Sequence, residues 1–101
     1  MKNISIINDE IVENYARKLK TCGHPVRLRI LSIIKNGKVC VKELGEYIDQ
    51  PQPIISQHLA VLKENDILGS EADGNRRIYY IEDPFIKQVI PLIKTYHRRR
   101  R

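Results

Sequence analysis

The sequence predicts a mainly helical fold with a small β-hairpin wing. It is a winged helix-turn-helix in the order helix-helix-helix-helix-strand-strand-helix, acting as a dimer. Three observations point there. Apolar residues recur at helical spacing in segments parted by Gly, Pro and Asn breaks. The run from Asp49 to Ile81 reads as a polar turn, one amphipathic helix and a two-stranded hairpin. The far side of that helix carries short and amide side chains suited to base edges in a DNA groove. That order is the recognition half of a winged helix-turn-helix, which makes duplex DNA the leading partner.

Each element follows from local chemistry. The first helix is expected from Asp9 to Thr21, capped by Asp9, with Ile11, Val12, Tyr15, Ala16 and Leu19 at helical spacing. Cys22-Gly23-His24-Pro25 ends it. The second runs from Pro25, a residue suited to a first helical position, to Lys35. Val26, Leu28, Ile30, Leu31, Ile33 and Ile34 give it a surface wide enough to centre the core, and Asn36-Gly37 closes it. The third is short, Val41 to Ile48, with Leu44, Tyr47 and Ile48 facing inward. After the Asp49-Gln50-Pro51 turn, the fourth runs from Gln52 to Asn65 with Ile55, Leu59 and Leu62 as its buried stripe. Ile67 to Glu71 reads as a strand, Asp73-Gly74-Asn75 as a turn, and Arg76 to Ile81 as the return strand. Asp83-Pro84 caps a fifth helix carrying Phe85, Ile86, Val89, Ile90, Leu92, Ile93 and Tyr96, with Pro91 as a site for a kink.

The 101 residues are 42% hydrophobic and 30% charged, which fits one globular domain over 1–101. The helix-turn-helix covers 41–65 and the wing 67–81. A core this small often gains stability by oligomerising, and helices near 9–21 and 83–97 are the expected dimer contact. No apolar run is long enough for a membrane span, and the start, MKNISIINDEIVENY, carries acids early. The expectation is no signal peptide, no membrane contact and a cytoplasmic location.

Net charge is +6. Residues 17–42 contain Arg17, Lys18, Lys20, Arg27, Arg29, Lys35, Lys38 and Lys42 and no acid. The recognition helix and wing are near neutral, with Lys63, Arg76 and Arg77 against Glu64, Asp66, Glu71 and Asp73. Arg98 to Arg101 add four positive charges. Phosphate attraction would then come mostly from the first helices and the tail. The alternative is a set of solvated helix faces.

Three segments, KTCGHPVRLRIL, KELGEYIDQPQPIISQHLAVLKENDIL and GNRRIYYI, together resemble the bacterial ArsR/SmtB repressors. The resemblance extends from about Tyr15 to Tyr96 in the same order and spacing; the wing alone would be a weak signal. It implies a homodimeric winged-helix repressor, joined through its first and fifth helices, that leaves its operator when an inducer binds. It places DNA contacts at Gln52, Pro53, Ser56 and Gln57 in the recognition helix and at Arg76 and Arg77 near the wing tip. Lys42 and Lys63 are expected to flank them. His58 matches a residue frequent in the family but lies beside the buried stripe, so packing, capping and DNA contact all stay open.

The resemblance does not carry over to the family's sensor sites. Arsenic- and cadmium-sensing relatives have Cys-Val-Cys at the third helix; here the residues are Cys40-Val41-Lys42, and an ammonium cannot ligate. Zinc- and cobalt-sensing relatives use Asp, two His and an acid on the fifth helix. Asp83 is present, Phe85 stands at the expected His, His97 is near the later one, and Arg99 falls at the acid. His24 and His58 form no ligand motif. Relatives that sense persulfides or oxidants pair cysteines on the second and fifth helices, where this chain has Ser32 and no helix-five cysteine. The expectation is no cofactor and no tight zinc or arsenite site, with Cys22, Cys40 and His97 as the remaining sensor candidates. Cys22 reads as a buried small hydrophobe and Cys40 as partly exposed and silent.

Two cysteines that form no CxxC pair are too few for a disulfide framework. Two alternatives remain beside an inducible repressor. One is a redox- or thiol-responsive repressor using Cys22 and Cys40. The other is a winged-helix module for protein assembly, which the near-neutral recognition helix allows. Catalysis lacks a nucleophile-base pair, a phosphate loop and a credible metal cluster.

Overall fold

The computed structural model describes residues 7–35 and 37–99, with side chains through residue 93. The expectations for Asn36, Tyr96, His97 and Arg98 to Arg101 lie outside the described side chains. Helix α1 spans Asp9–Cys22, α2 Pro25–Ile34, β1 Val39–Cys40, α3 Val41–Gly45, α4 Gln52–Glu64, β2 Leu68–Asp73, β3 Arg76–Ile81 and α5 Pro84–Arg99.

The cap of helix α1 lies one residue before the expected one. Asn8 is extended, and its Oδ1 accepts from the Ile11 backbone N–H at 2.9 Å, while Asp9 is already helical. The second helix is capped by His24, whose Nδ1 accepts from the Val26 N–H at 3.1 Å, with Pro25 at its first position. Ile30, Leu31 and Ile34 are fully buried, so α2 does centre the core.

Helix α3 is shorter than expected. It ends at Gly45, and the chain turns through Glu46 and Tyr47 before Ile48 returns to the core. That turn overturns the inward placement of Tyr47, which is 74% exposed. Helix α4 buries Ile55, Leu59 and Leu62 as its stripe. Asn65 ends it, and Asp66 at φ 60° redirects the chain into the wing.

The wing has a third strand that the sequence did not announce. The order is β1-β3-β2, all antiparallel, with Cys40 opposite Ile78 and Leu68 opposite Ile81. The first wing strand runs two residues further than expected, to Asp73, and Gly74-Asn75 alone turns the hairpin, Gly74 having φ +64°. Gly69 is under the Tyr80 ring, whose atoms stand 2.6–2.7 Å from where a Cβ would be.

Ile86 and Ile90 of α5 are buried in the core, so these two residues of the expected dimer helix face inward. Helix α5 continues past Pro91. Helix α1 behaves differently: only Thr21 and Cys22, at its end, are buried. The extents are 60 × 36 × 20 Å and the radius of gyration is 15.7 Å, against about 13 Å for a compact chain of this length.

One cluster ties α1 to α5. Asp83 caps α5 by accepting from the Ile86 N–H at 2.9 Å and pairs through its other oxygen with Lys18 Nζ at 2.6 Å. Lys18 also lies over the Tyr15 ring, which meets Phe85 edge-on at 4.8 Å. Burial alone would raise the Asp83 carboxyl, but the hydrogen bonds from Lys18 and the Ile86 N–H outweigh it and hold it below the usual range.

A depressed carboxyl stabilises the fold fully above its unfolded value of 3.8 and loses that contribution as pH falls through the lower folded value. Asp83→Ala should therefore lower stability at pH 7 by roughly 3 kcal/mol, because Lys18 is left without its partner and α5 without its cap. Chemical denaturation across pH is the measurement. The gap between wild type and variant should shrink only below about pH 4.

Candidate nucleic-acid interface

The stripe of α4 fixes which side of the helix reaches solvent. With Ile55, Leu59 and Leu62 buried, Gln52, Pro53, Ser56, Gln57 and Ala60 are all exposed. Lys63 is exposed on the same side, two turns after Ser56. The N-terminal half of α4 therefore offers two amides, a hydroxyl and small residues, with no charge between them. Such a surface can approach base edges closely and hydrogen-bond to them.

A cleft joins this surface to the wing. Cys40, Val41, Lys42, Gln52, Arg76 and Arg77 line it, so the α3 start, the first residue of α4 and the start of β3, next to the hairpin turn, converge. Four of the nine expected DNA-contacting residues, Lys42, Gln52, Arg76 and Arg77, thus come together. Arg77 donates to Ser70 Oγ at 3.2 Å and is otherwise exposed. Arg76 is more tethered. Its guanidinium donates to Asp73 at 3.0 and 3.2 Å, stands 3.8 Å from Glu43, and reaches Cys40 Sγ at 3.8 Å. Asp73 accordingly raises Arg76 above its ordinary value.

Cys40 is buried, against the expectation of partial exposure. It is the N-cap residue of α3, and Glu43 accepts from its backbone N–H at 3.1 Å, the return half of a capping box. Cys22 is buried as expected, and burial, reinforced by Asp83, pushes its thiol up to about 11. Both thiols are free. Among the described residues, no three His, Cys, Asp or Glu side chains gather where a metal ion could be held.

His58 faces the fold. Its Nδ1 accepts from Arg27 Nε at 3.2 Å, and its ring lies 4.5 Å from that of His24. Arg27 also donates to the Thr21 carbonyl at 3.2 Å. This bridge between α4 and α2 was not legible beforehand, since His58 and Arg27 are 31 positions apart. Burial first, then the His24 and Arg27 charges, lower the His58 imidazole.

The sequence comparisons agree with this geometry. Residues 24–69 match the arsR family of bacterial regulatory proteins. An uncharacterised HTH-type transcriptional regulator of Methanocaldococcus jannaschii is 38% identical over 85 residues, covering 83% of this chain and 96% of the relative. The chain belongs to the ArsR family. The transcriptional repressor BigR of Xylella fastidiosa is 30% identical and superposes with a TM-score of 0.74 over 89% of this chain and 96% of BigR. HlyU of Vibrio cholerae shares the fold, with a TM-score of 0.84 at 22% identity over 88% of this chain and 97% of HlyU. This ArsR-family protein is thus a winged helix-turn-helix, DNA-binding transcriptional repressor. Proteins of this family and fold regulate transcription and are generally not enzymes. No helix among the described residues is long and apolar enough to cross a membrane.

The His58 bridge has a pH signature. A histidine lowered in the fold contributes stability above its unfolded value, 6.5, that is lost as pH falls through the folded value. The thermal midpoint of the wild type should drop between pH 7 and pH 5, and His58→Gln should flatten that drop. An unchanged slope in the variant would show that the Arg27 bridge does not depend on a neutral imidazole.

Proposed function

We propose that residues 1–101 work as one winged-helix unit, that two copies form a homodimer through α1 and α5, and that each copy sets α4 in a major groove of a two-fold operator. The exposed row of Gln52, Pro53, Ser56 and Gln57, next to the cleft holding Lys42, Arg76 and Arg77, is the observation that carries this reading. Gln52, Ser56 and Gln57 read base edges. Lys42, Lys63, Arg76 and Arg77 hold phosphate or the minor groove, and Pro53 sets the close approach of the helix start. His58 positions α4 against α2 rather than touching DNA. Release by an inducer, action without catalysis or cofactor, and a cytoplasmic location belong to the same reading.

Support for the dimer comes from α1. Ile11, Tyr15 and Leu19, four residues apart, are 45%, 38% and 50% exposed, and Leu92 and Ile93 of α5 are exposed as well. An apolar stripe of this length on a projecting helix is unfavourable in water unless another surface covers it. Light scattering at micromolar concentration should give twice 11.8 kDa. A monomer there would remove the two-half-site arrangement.

The two kinds of DNA contact separate by mutation. Gln57→Ala should weaken the operator by about 1–3 kcal/mol and random duplex far less, since a paired amide-base contact is lost. Arg77→Ala should weaken both and flatten the salt dependence by about one unit of slope. Equal losses on operator and random DNA for Gln57→Ala would mean that α4 does not read sequence. The assembly-module reading would then move ahead.

A further inference from the structure

Away from the DNA-facing cleft, one cavity has a different make-up. It holds about 430 Å³ between the end of α2, the approach to β1, β3 and the start of α5. That lies within the range, about 300–1,000 Å³, of small-ligand sites. Lys35 and Lys38 come to it from the connection between α2 and β1 and Lys87 from α5, and Ile34, Tyr80 and Ile81 supply an apolar wall. Lys38 is held by Glu71 at 2.5 Å. Among the described residues, Lys35 and Lys87 have no acidic partner. Gathered ammonium groups repel one another unless an anion joins them.

The wall is fixed by the sheet. Tyr80 occupies the space that a side chain at Gly69 would fill, so the strand pairing sets the position of its ring. Lys38 Nζ stands 6.0 Å from the centre of that ring. Cations beside an aromatic and aliphatic wall suit a phosphate joined to a flat ring: charge-assisted bonds take the phosphate, and the ring face takes the base.

We infer that this cavity binds a small phosphorylated ring compound of the mononucleotide class and that its phosphate draws Lys38 away from Glu71. Glu71 is on β2, so the exchange frees a tie between the approach to β1 and the wing. The binding step stands alone; its consequence, weaker operator binding, rests on the reading proposed above.

Calorimetric titration of the full chain without DNA tests the binding, with AMP, adenosine and inorganic phosphate as probes. AMP should bind, and adenosine and inorganic phosphate should each bind at least about tenfold more weakly. Lys35→Gln and Lys87→Gln should each weaken AMP about tenfold while leaving the thermal midpoint unchanged. Equal affinity for AMP and either fragment, or wild-type affinity in both variants, overturns the site. The same holds if both variants lose operator affinity with a shallower salt slope, because the lysines would then hold DNA backbone. Excess AMP should weaken the wild-type operator complex; an unchanged complex overturns the Lys38 exchange. Failure of the AMP-free protein to bind any operator would instead count against the repressor reading and leave the titration result standing.

Discussion

One helix has to bury one side and offer the other, and the rest of the molecule is arranged around that constraint. Ile55, Leu59 and Leu62 fix the rotation of α4 about its axis. A rotation by one residue, about 100°, would sink Ser56 and expose Ile55, so the exposed surface and the core specify each other. The stripe belongs to one core cluster with Ile30, Leu31 and Ile34 from α2, Leu44 from α3, Ile67, Leu68 and Ile81 from the root of the wing, and Ile86 and Ile90 from α5. The wing is therefore registered to α4 through shared core residues as well as through the short link at Asn65 and Asp66. Asn65 Nδ2 donates to the Val61 carbonyl, and the Ile67 N–H donates to the Leu62 carbonyl, which sets where β2 departs.

Much of this was legible because it depends on periodicity. The α4 stripe, the α2 core surface, the hairpin and the Asp83-Pro84 start of α5 all follow from spacing or cap chemistry within a few residues. What escaped depends on partners far away in sequence. Strand β1 has two residues and no alternation to detect; it forms because β3 offers Ile78 and Tyr79 as partners. Tyr47 fits an inward helical position only if α3 continues, and α3 stops at Gly45. Asn8 and Asp9 are both good caps, and local chemistry does not choose between them. Among the expected site residues, those on α4 were placed by the helix itself. The meeting of Lys42, Gln52, Arg76 and Arg77 needed the fold.

Counting basic residues overstates the charge free to meet DNA. Of the eight between 17 and 42, Lys18 closes the α1–α5 junction with Asp83 and Arg27 holds His58 and the Thr21 carbonyl. Lys38 pairs with Glu71. In the wing, Arg76 is tethered to Asp73 and Glu43, while among the described residues Arg77 has only a hydroxyl partner. The exposed Lys38 and Arg76 pairs, unlike the buried Lys18–Asp83 pair, contribute little to stability, typically below about 1 kcal/mol, so their exchange for phosphate partners costs little. The near-neutral composition of the recognition half is thus compatible with a DNA-binding surface. Asp73 and Glu43 hold Arg76 in place without occupying the exposed side of α4.

The two cysteines differ in what they could transmit. At a value of about 11, only about one Cys22 thiol in ten thousand is ionised at pH 7, so oxidants that attack thiolates find little to react with. Its neighbourhood is the Lys18–Asp83 junction, where α1 meets the start of α5. Cys40 occupies the other end of the molecule's logic. It begins α3, pairs with Ile78 in the sheet, and touches Arg76 beside the reading helix. A bulkier or charged group on its sulfur would enter the cleft that Cys40 lines with Lys42, Gln52, Arg76 and Arg77, at the junction of the helix-turn-helix and the wing. Thiol chemistry affecting DNA directly would therefore have to act at Cys40, whereas burial and the Asp83 charge leave Cys22 to packing.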